Sequence, residues 1–227
     1  MTHETLVECV QARIKRFILE ERLELGDPLP SEAELVHLLH ASRNSVREAL
    51  KALQAMRIVE IRHGFGTFVG PFTLERFVEG LAFRATVQHL RGAAGLYELM
   101  EVREALEAGL IPVVARGLPD EDLTALGAVV RRMEEEALGG HVSTGTDRAF
   151  HQALYRSLGN RLLSEVLDAF WTALRQVREN VADGSPDPRV TYRQHLAIYE
   201  ALKAGDGERA VTAVHRHFDG LRKRLAK

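Results

Sequence analysis

Apolar residues recur at helical spacing from the start of the chain. Val10, Ile14, Phe17 and Ile18 share one face, which predicts a helix over about Leu6–Leu23. The run Leu25-Gly26-Asp27-Pro28-Leu29-Pro30 ends it. Ser31 followed by Glu34 reads as a capping box, and the short helix behind it turns Leu35, Leu38 and Leu39 inward. After His40-Ala41, Ser42 caps a third helix whose apolar stripe is Val46, Ala49, Leu50 and Leu53. The period then changes. Ile58-Val59-Glu60-Ile61-Arg62 is rich in strand formers, His63-Gly64-Phe65-Gly66 supplies a tight turn, and Thr67-Phe68-Val69 returns as a second strand.

Beyond Pro71 the pattern is helical throughout. It predicts helices over Thr73–Leu90, Gly95–Arg116, Asp120–Leu138, Ser143–Leu158, Leu162–Val181, Val190–Ala204 and Gly207–Leu225. Glycine, proline and asparagine mark the breaks, among them Leu118-Pro119-Asp120, Gly159-Asn160 and the stretch from Gly184 to Pro188. The expected fold is mostly α: an N-terminal winged helix-turn-helix with a small β-hairpin wing, then an all-α helical bundle. The expected division is 1–70 for the first domain, 71–92 for a linker helix and 93–227 for the bundle.

Composition narrows the class. Of 227 residues, 45% are hydrophobic and 27% charged, which excludes a disordered or collagen-like chain. The single cysteine, Cys9, excludes an internal disulfide framework and fits a reducing compartment. No apolar run approaches the roughly 20 residues of a membrane span, and Met1-Thr2-His3-Glu4 lacks a signal-peptide layout. A cytoplasmic protein is expected. The net charge of −2 gives no global hint of a polyanion partner. Position does: between Arg43 and Val69, five basic residues face only Glu48 and Glu60.

That basic segment coincides with the helix-turn-helix. The second helix of such a pair enters the major groove by its N-terminal end, here Ser42-Arg43-Asn44-Ser45-Val46-Arg47. Arg43 and Arg47 lie one turn apart, and arginine can bind guanine O6 and N7 together. Ser42, Asn44 and Ser45 suit phosphates or base edges, and His63-Gly64 at the wing tip suits a phosphate or the minor groove. A merely solvated charged face is the alternative, but the short preceding helix, the polar run and the wing all favour DNA. The residues from Leu29-Pro-Ser-Glu through Ser42-Arg43-Asn44-Ser45-Val46-Arg47-Glu48-Ala49-Leu50, with His63-Gly64-Phe65-Gly66-Thr67-Phe68-Val69, resemble the DNA-binding domain of GntR-family bacterial regulators over about residues 5–70. The resemblance implies operator contacts by Ser42, Arg43, Asn44, Ser45, Arg47, His63 and Gly64. Two positions depart from it: Ala33 stands where many members have a DNA-contacting arginine, and His40 where many have glycine.

The bundle carries polar groups on its apolar stripes. Asp147 and His151 sit at i and i+4 among Phe150, Leu154 and Leu158. His195 lies on a stripe with Tyr192, Leu196, Tyr199 and Leu202, and His217 on one with Ala210, Val214 and Leu221. His215 points away, toward solvent. One inward histidine would be an ordinary core residue, but imidazoles satisfy one another poorly and a carboxylate does not bury alone. Three histidines and an aspartate form an N₃O donor set for one divalent metal per chain, Zn²⁺ first, with Ni²⁺, Mn²⁺ or Fe²⁺ as alternatives. The residues from about Tyr97 to Leu225 resemble the FCD effector domain of FadR-type GntR regulators, on Asp147-x-x-x-His151, Gly159-Asn160, Gln194-His195 and Ala210-x-x-x-Val214-x-x-His217. That resemblance implies that Asp147, His151, His195 and His217 coordinate the ion, and that the effector is a small organic acid.

Arg103 shares a stripe with Leu99, Leu106 and Leu110 and so points inward. It reads either as an ion pair with Glu107 or as a clamp for a ligand carboxylate. Pro112 could kink the same helix. Together these features predict a non-enzymatic transcription regulator that binds a palindromic operator in double-stranded DNA as a homodimer and answers to a carboxylate metabolite. The segment Phe72–Leu90 is the expected transmitter between domains. A metal-dependent hydrolase or lyase with an appended DNA-binding domain is the rival reading, but no general base or nucleophile motif accompanies the ligands.

Overall fold

Thr5 accepts a hydrogen bond from the Glu8 amide while Glu8 reaches back to the Thr5 amide, and this capping box starts α1 (Leu6–Glu20). The computed structural model describes residues 5–92, 94–181 and 187–225. The predicted break over 184–186 and the opening residues 1–4 lie outside them. α1 ends a turn earlier than its pattern suggested, and Arg22 beyond it adopts the left-handed conformation, φ 54°. A second capping box, Ser31 with Glu34, starts α2 (Glu32–Leu38). Leu35 and Leu39 are buried, but Leu38, expected inward, is 49% exposed. A helix this short presents one narrow face, and the i, i+4 pair already fills it. His40 takes φ 44°, so the turn into the next helix is made in the left-handed region without glycine.

Ser42 accepts from the Ser45 amide at 3.1 Å and caps α3 (Arg43–Ala55), which buries Val46, Ala49, Leu50 and Leu53 as its stripe required. Strands β1 (Val59–Arg62) and β2 (Gly66–Val69) pair antiparallel, Val59 opposite Val69 and Arg62 opposite Gly66. The turn between them needs Gly64 and Gly66, at φ 80° and 112°. The segment before α2 also joins this hairpin. The Leu29 amide donates to Thr67 O and the Val69 amide to Asp27 O, both at 2.8 Å. The buried hydrophobic cluster of this region is aliphatic, from Val10, Ile14 and Leu35 to Leu50, Leu53 and Val69.

The chain forms two compact units, Met1–Arg76 and Phe77–Lys227. The second is helical among the described residues: α4 (Glu75–Leu90, which starts at the boundary), α5 (Gly95–Gly117), α6 (Asp120–Leu138), α7 (Thr144–Arg156), α8 (Arg161–Val181), α9 (Pro188–Lys203) and α10 (Gly207–Leu225). α10 packs on α5 and α9, α6 on α7 and α9, and α8 on α5 and α7. α5 continues as helix through Pro112. Two stripes are rotated from expectation. On α9 the buried positions are Thr191, His195, Ile198, Ala201 and Leu202. Tyr192 and Tyr199 sit only at the edge, where their hydroxyls reach Glu134 and the surface of Gly127. On α5, Leu106 and Leu110 are half-buried, whereas Glu104 and Glu107 join Arg103 inside. No helix among the described residues is long and apolar enough to cross a membrane.

Candidate functional site

In the first unit, α3 presents Ser42, Arg43, Asn44 and Arg47 to solvent, with Arg47 Nη2 donating to Asn44 Oδ1 at 3.1 Å. Ser45 differs. It is buried, and its hydroxyl lies 2.8 Å from that of Ser42, so its first task is to fix the helix start. His63 and Gly64 are exposed at the wing tip. The Arg62 guanidinium lies 4.4 Å from the Phe68 ring centroid and stiffens the strand leading to that tip.

In the second unit the three predicted histidines converge. His151 on α7, His195 on α9 and His217 on α10 are all buried, and one nitrogen from each lies within 4.8 Å of the others. Their protonation is set from behind. His151 Nδ1 faces Glu107 Oε2 at 3.0 Å, and His195 Nδ1 faces the Thr191 carbonyl at 2.8 Å. Each Nδ1–H therefore donates outward, and each Nε2 carries a lone pair. His151 Nε2 and His217 Nδ1 are buried without a hydrogen-bond partner among the described residues, whereas His195 Nε2 faces Asp147.

Asp147 stands beside this cluster, its Oδ1 3.0 Å from His195 Nε2. A lone pair facing a carboxylate oxygen at that distance requires a proton or a cation between them. The indole N–H of Trp171 donates to Asp147 Oδ2 at 3.2 Å. Burial opposes ionisation of Asp147, but the hydrogen bond and charge of His195, with His151 and Arg103, hold its carboxyl well below the usual range. Burial likewise pushes His151 down, partly offset by Glu107. It pushes His217 well down, reinforced by the neighbouring imidazoles. A lowered pKa on His151 and His217 and an ionised Asp147 favour the forms in which such side chains bind a metal, so the donor set fits a divalent ion.

Behind the histidines lies a charged layer that the sequence showed only in part. Glu107 accepts from Arg103 Nε, from His151 and, at 3.0 Å, from the Tyr155 hydroxyl. Burial resists its charge, but Arg103 and His151 outweigh burial and hold Glu107 well below the ordinary carboxylate range. Thus Arg103 does form the ion pair with Glu107. It also keeps Nη2 buried with no partner among the described residues, while Phe218 flanks its guanidinium at 5.4 Å. Arg103, Glu107 and His151 line one part of a 390 Å³ cavity that reaches the turn between α7 and α8. Tyr155 could have been singled out from its place one turn after His151; Trp171 carried no such signal. His215 is exposed as expected, but its Nδ1 lies 2.6 Å from Glu104, which Arg222 also contacts.

Comparison with known proteins agrees with this architecture. Residues 6–69 match the bacterial regulatory proteins of the gntR family, and residues 98–220 match the FCD domain. The chain is 29% identical over 204 residues to the transcriptional regulator LutR of Bacillus subtilis, covering 88% of this chain and 91% of that protein. It is 26% identical over 223 residues to the transcriptional repressor NanR of an Enterobacter strain, covering 97% and 85%. The GntR structure from Streptococcus agalactiae superposes with a TM-score of 0.69 at 25% identity, covering 96% of this chain and 99% of that one. The relatives are regulators and not enzymes, which removes the hydrolase reading. A winged helix-turn-helix joined to a helical domain of this kind places the chain in the GntR family, with an FCD effector domain, as a DNA-binding transcriptional regulator.

Proposed function

We propose that this regulator couples operator binding to a small organic acid held beside a divalent metal in its C-terminal unit. Asp147, His151, His195 and His217 hold the ion, and Arg103 Nη2 takes part of the acid's carboxylate. The observation that carries the reading is the convergence of three buried histidines, one nitrogen from each within 4.8 Å of the others, with Asp147 Oδ1 3.0 Å from His195 Nε2. The ion, when bound, offers a positive centre to an acid oxygen. Glu107 and the Thr191 carbonyl keep His151 and His195 in the ligating tautomer, and Trp171 orients Asp147.

DNA is read by Arg43, Asn44 and Arg47 on α3, supported by Ser42 and the cap formed with Ser45, while His63 and Gly64 of the wing reach the backbone or minor groove. A homodimer on a palindromic operator matches this one-recognition-helix design, because two-fold protein symmetry then maps onto two half-sites. The acid alters DNA affinity to the extent that it binds two conformations of the protein unequally.

The test uses an operator selected by the protein from random duplex DNA. Operator affinity is measured with zinc-loaded and chelator-stripped protein across a panel of organic acids. Arg103→Lys keeps the charge but loses the planar fork. At least one acid should shift the affinity of zinc-loaded wild type, and the shift should shrink in Arg103→Lys and vanish in stripped protein. Identical responses from all three samples would overturn the proposal.

A further inference from the structure

The cavity beside the histidines says more about the ligand than its charge. Its 390 Å³ is more than twice the roughly 150 Å³ that encloses a benzene molecule in a protein core. An acid of two or three carbons would leave most of it empty. Its charged lining is largely satisfied within the protein. Arg148 grips Asp168 through two bonds of 2.6 Å, Arg156 pairs with Asp122, and Arg161 pairs with Glu165 at 2.9 Å. Between these closed pairs the buried wall is made by Tyr155, Leu167 and Trp171. Among the described residues, Arg103 Nη2 is a buried donor of this lining without a hydrogen-bond partner, and it lies at the end nearest the histidines.

Charge counting agrees. Arg103 and Glu107 cancel, and so do Arg148 and Asp168. A divalent ion beside Asp147 then leaves one net positive charge, which one carboxylate neutralises. A second carboxylate would meet arginines already paired to Asp168, Asp122 and Glu165, and would compete with those carboxylates for them.

We infer that the effector is a monocarboxylic acid bearing an aromatic ring, its carboxylate at Arg103 and its ring between Tyr155, Leu167 and Trp171. This rests on the acid-binding reading above and names the ligand class of that site. Flat side chains favour a flat ligand body, because aromatic pairs gain contact beyond simple area burial. A polyhydroxylated acid would instead strip its hydroxyls of water against an apolar wall.

Trp171 is the only tryptophan in the chain, so its fluorescence reports on this wall and on the Asp147 carboxylate it bonds. Zinc-loaded full-length protein is titrated with 3-phenylpropionate, propanoate, succinate and gluconate, following Trp171 emission and thermal stability together. Burying the ring should make 3-phenylpropionate bind about ten-fold or more tighter than propanoate, with saturable change in Trp171 emission. Ser164 is exposed and lines the cavity, so Ser164→Phe can fill the space without disturbing the core. That variant should lose the preference for the phenyl acid and keep its metal. Leu167→Asn should weaken 3-phenylpropionate but not propanoate. Tighter binding of succinate, gluconate or propanoate would overturn the aromatic assignment while leaving an acid site in place. Binding of none of the four, with the zinc retained, would count against the acid reading itself.

Discussion

The two units solve opposite problems with their cores. The N-terminal core is built from aliphatic residues of α1, α2, α3 and the hairpin, and its polar chemistry is displayed outside, on Arg43, Asn44, Arg47 and His63. The C-terminal core keeps its chemistry inside, where Arg103, Glu104, Glu107, His151, His195 and His217 are all buried. Stability and recognition can therefore be altered separately in the first unit and only together in the second. A surface arginine can be removed at little structural cost, whereas a buried charge is held by its partners and cannot lose one quietly.

The largest effect should come from breaking the buried layer. Glu107→Ala leaves Arg103 without its ion pair and His151 without its orienting acceptor. It should cost about 3–5 kcal/mol in denaturant unfolding and abolish metal retention together. A mutant of wild-type stability would show that the charges are solvated and that the contrast between the two cores is false.

A core truncation in the first unit should separate what the second unit couples. Leu50→Ala should cost about 2–5 kcal/mol in the unfolding of that unit and weaken DNA binding accordingly. Metal content should stay that of wild type. Loss of metal in Leu50→Ala would mean the two units share one cooperative core.

Arg47→Ala tests the outward-facing chemistry. It should weaken operator binding by about 1–3 kcal/mol if the contact is bidentate to guanine, and relax base preference at one position. Stability should move by no more than about 0.5 kcal/mol, since Arg47 is exposed and its hydrogen bond among the described residues is to Asn44 on the same helix. Gel-shift titration at fixed salt, beside a melting curve, measures both.

How far the sequence reached differs between the units for the same physical reason. The first unit was legible to the level of individual caps, because Ser31 with Glu34 and Ser42 with Ser45 act within one turn of chain. Its misses were local: Leu38 was counted inside a face too narrow for it, and the pairing of Asp27 and Leu29 with the hairpin left no periodic trace. In the second unit the phase of α7 and α10 placed His151 and His217 correctly. The partners behind them were only partly visible. Glu107 showed as a companion for Arg103, but its bonds to His151 and Tyr155 span α5 and α7, and no spacing within one helix reveals those. Glu104 gave no signal at all, since its partners His215 and Arg222 come from a distant part of the chain.

The smallest expected effect is that of pH on chelator-treated protein. His151 and His217 are held below their ordinary pKa in the folded state, so the unfolded chain takes up more protons as pH falls through the ordinary histidine range. Stability should begin to fall as pH drops through about 6.5, where the imidazole of an unfolded chain titrates, and keep falling until the lowered pKa values of the folded histidines are passed. It should fall further in the carboxylate range, where the depressed Glu107 and Asp147 contribute with the same sign. His217→Leu should flatten the upper part of the curve. A melting temperature that rises on acidification would mean the imidazoles are charged in the fold.

The most direct measurement of the account is the metal content of three proteins purified without a histidine tag: wild type, His217→Ala and His215→Ala. His217 is buried in the cluster, while His215 is exposed two residues away and pairs with Glu104. Elemental analysis should find roughly one divalent ion per chain in wild type and in His215→Ala, and little in His217→Ala. A wild type that carries no metal and takes up neither Zn²⁺, Ni²⁺ nor Mn²⁺, or a His215→Ala that loses metal while His217→Ala keeps it, would contradict the central claim.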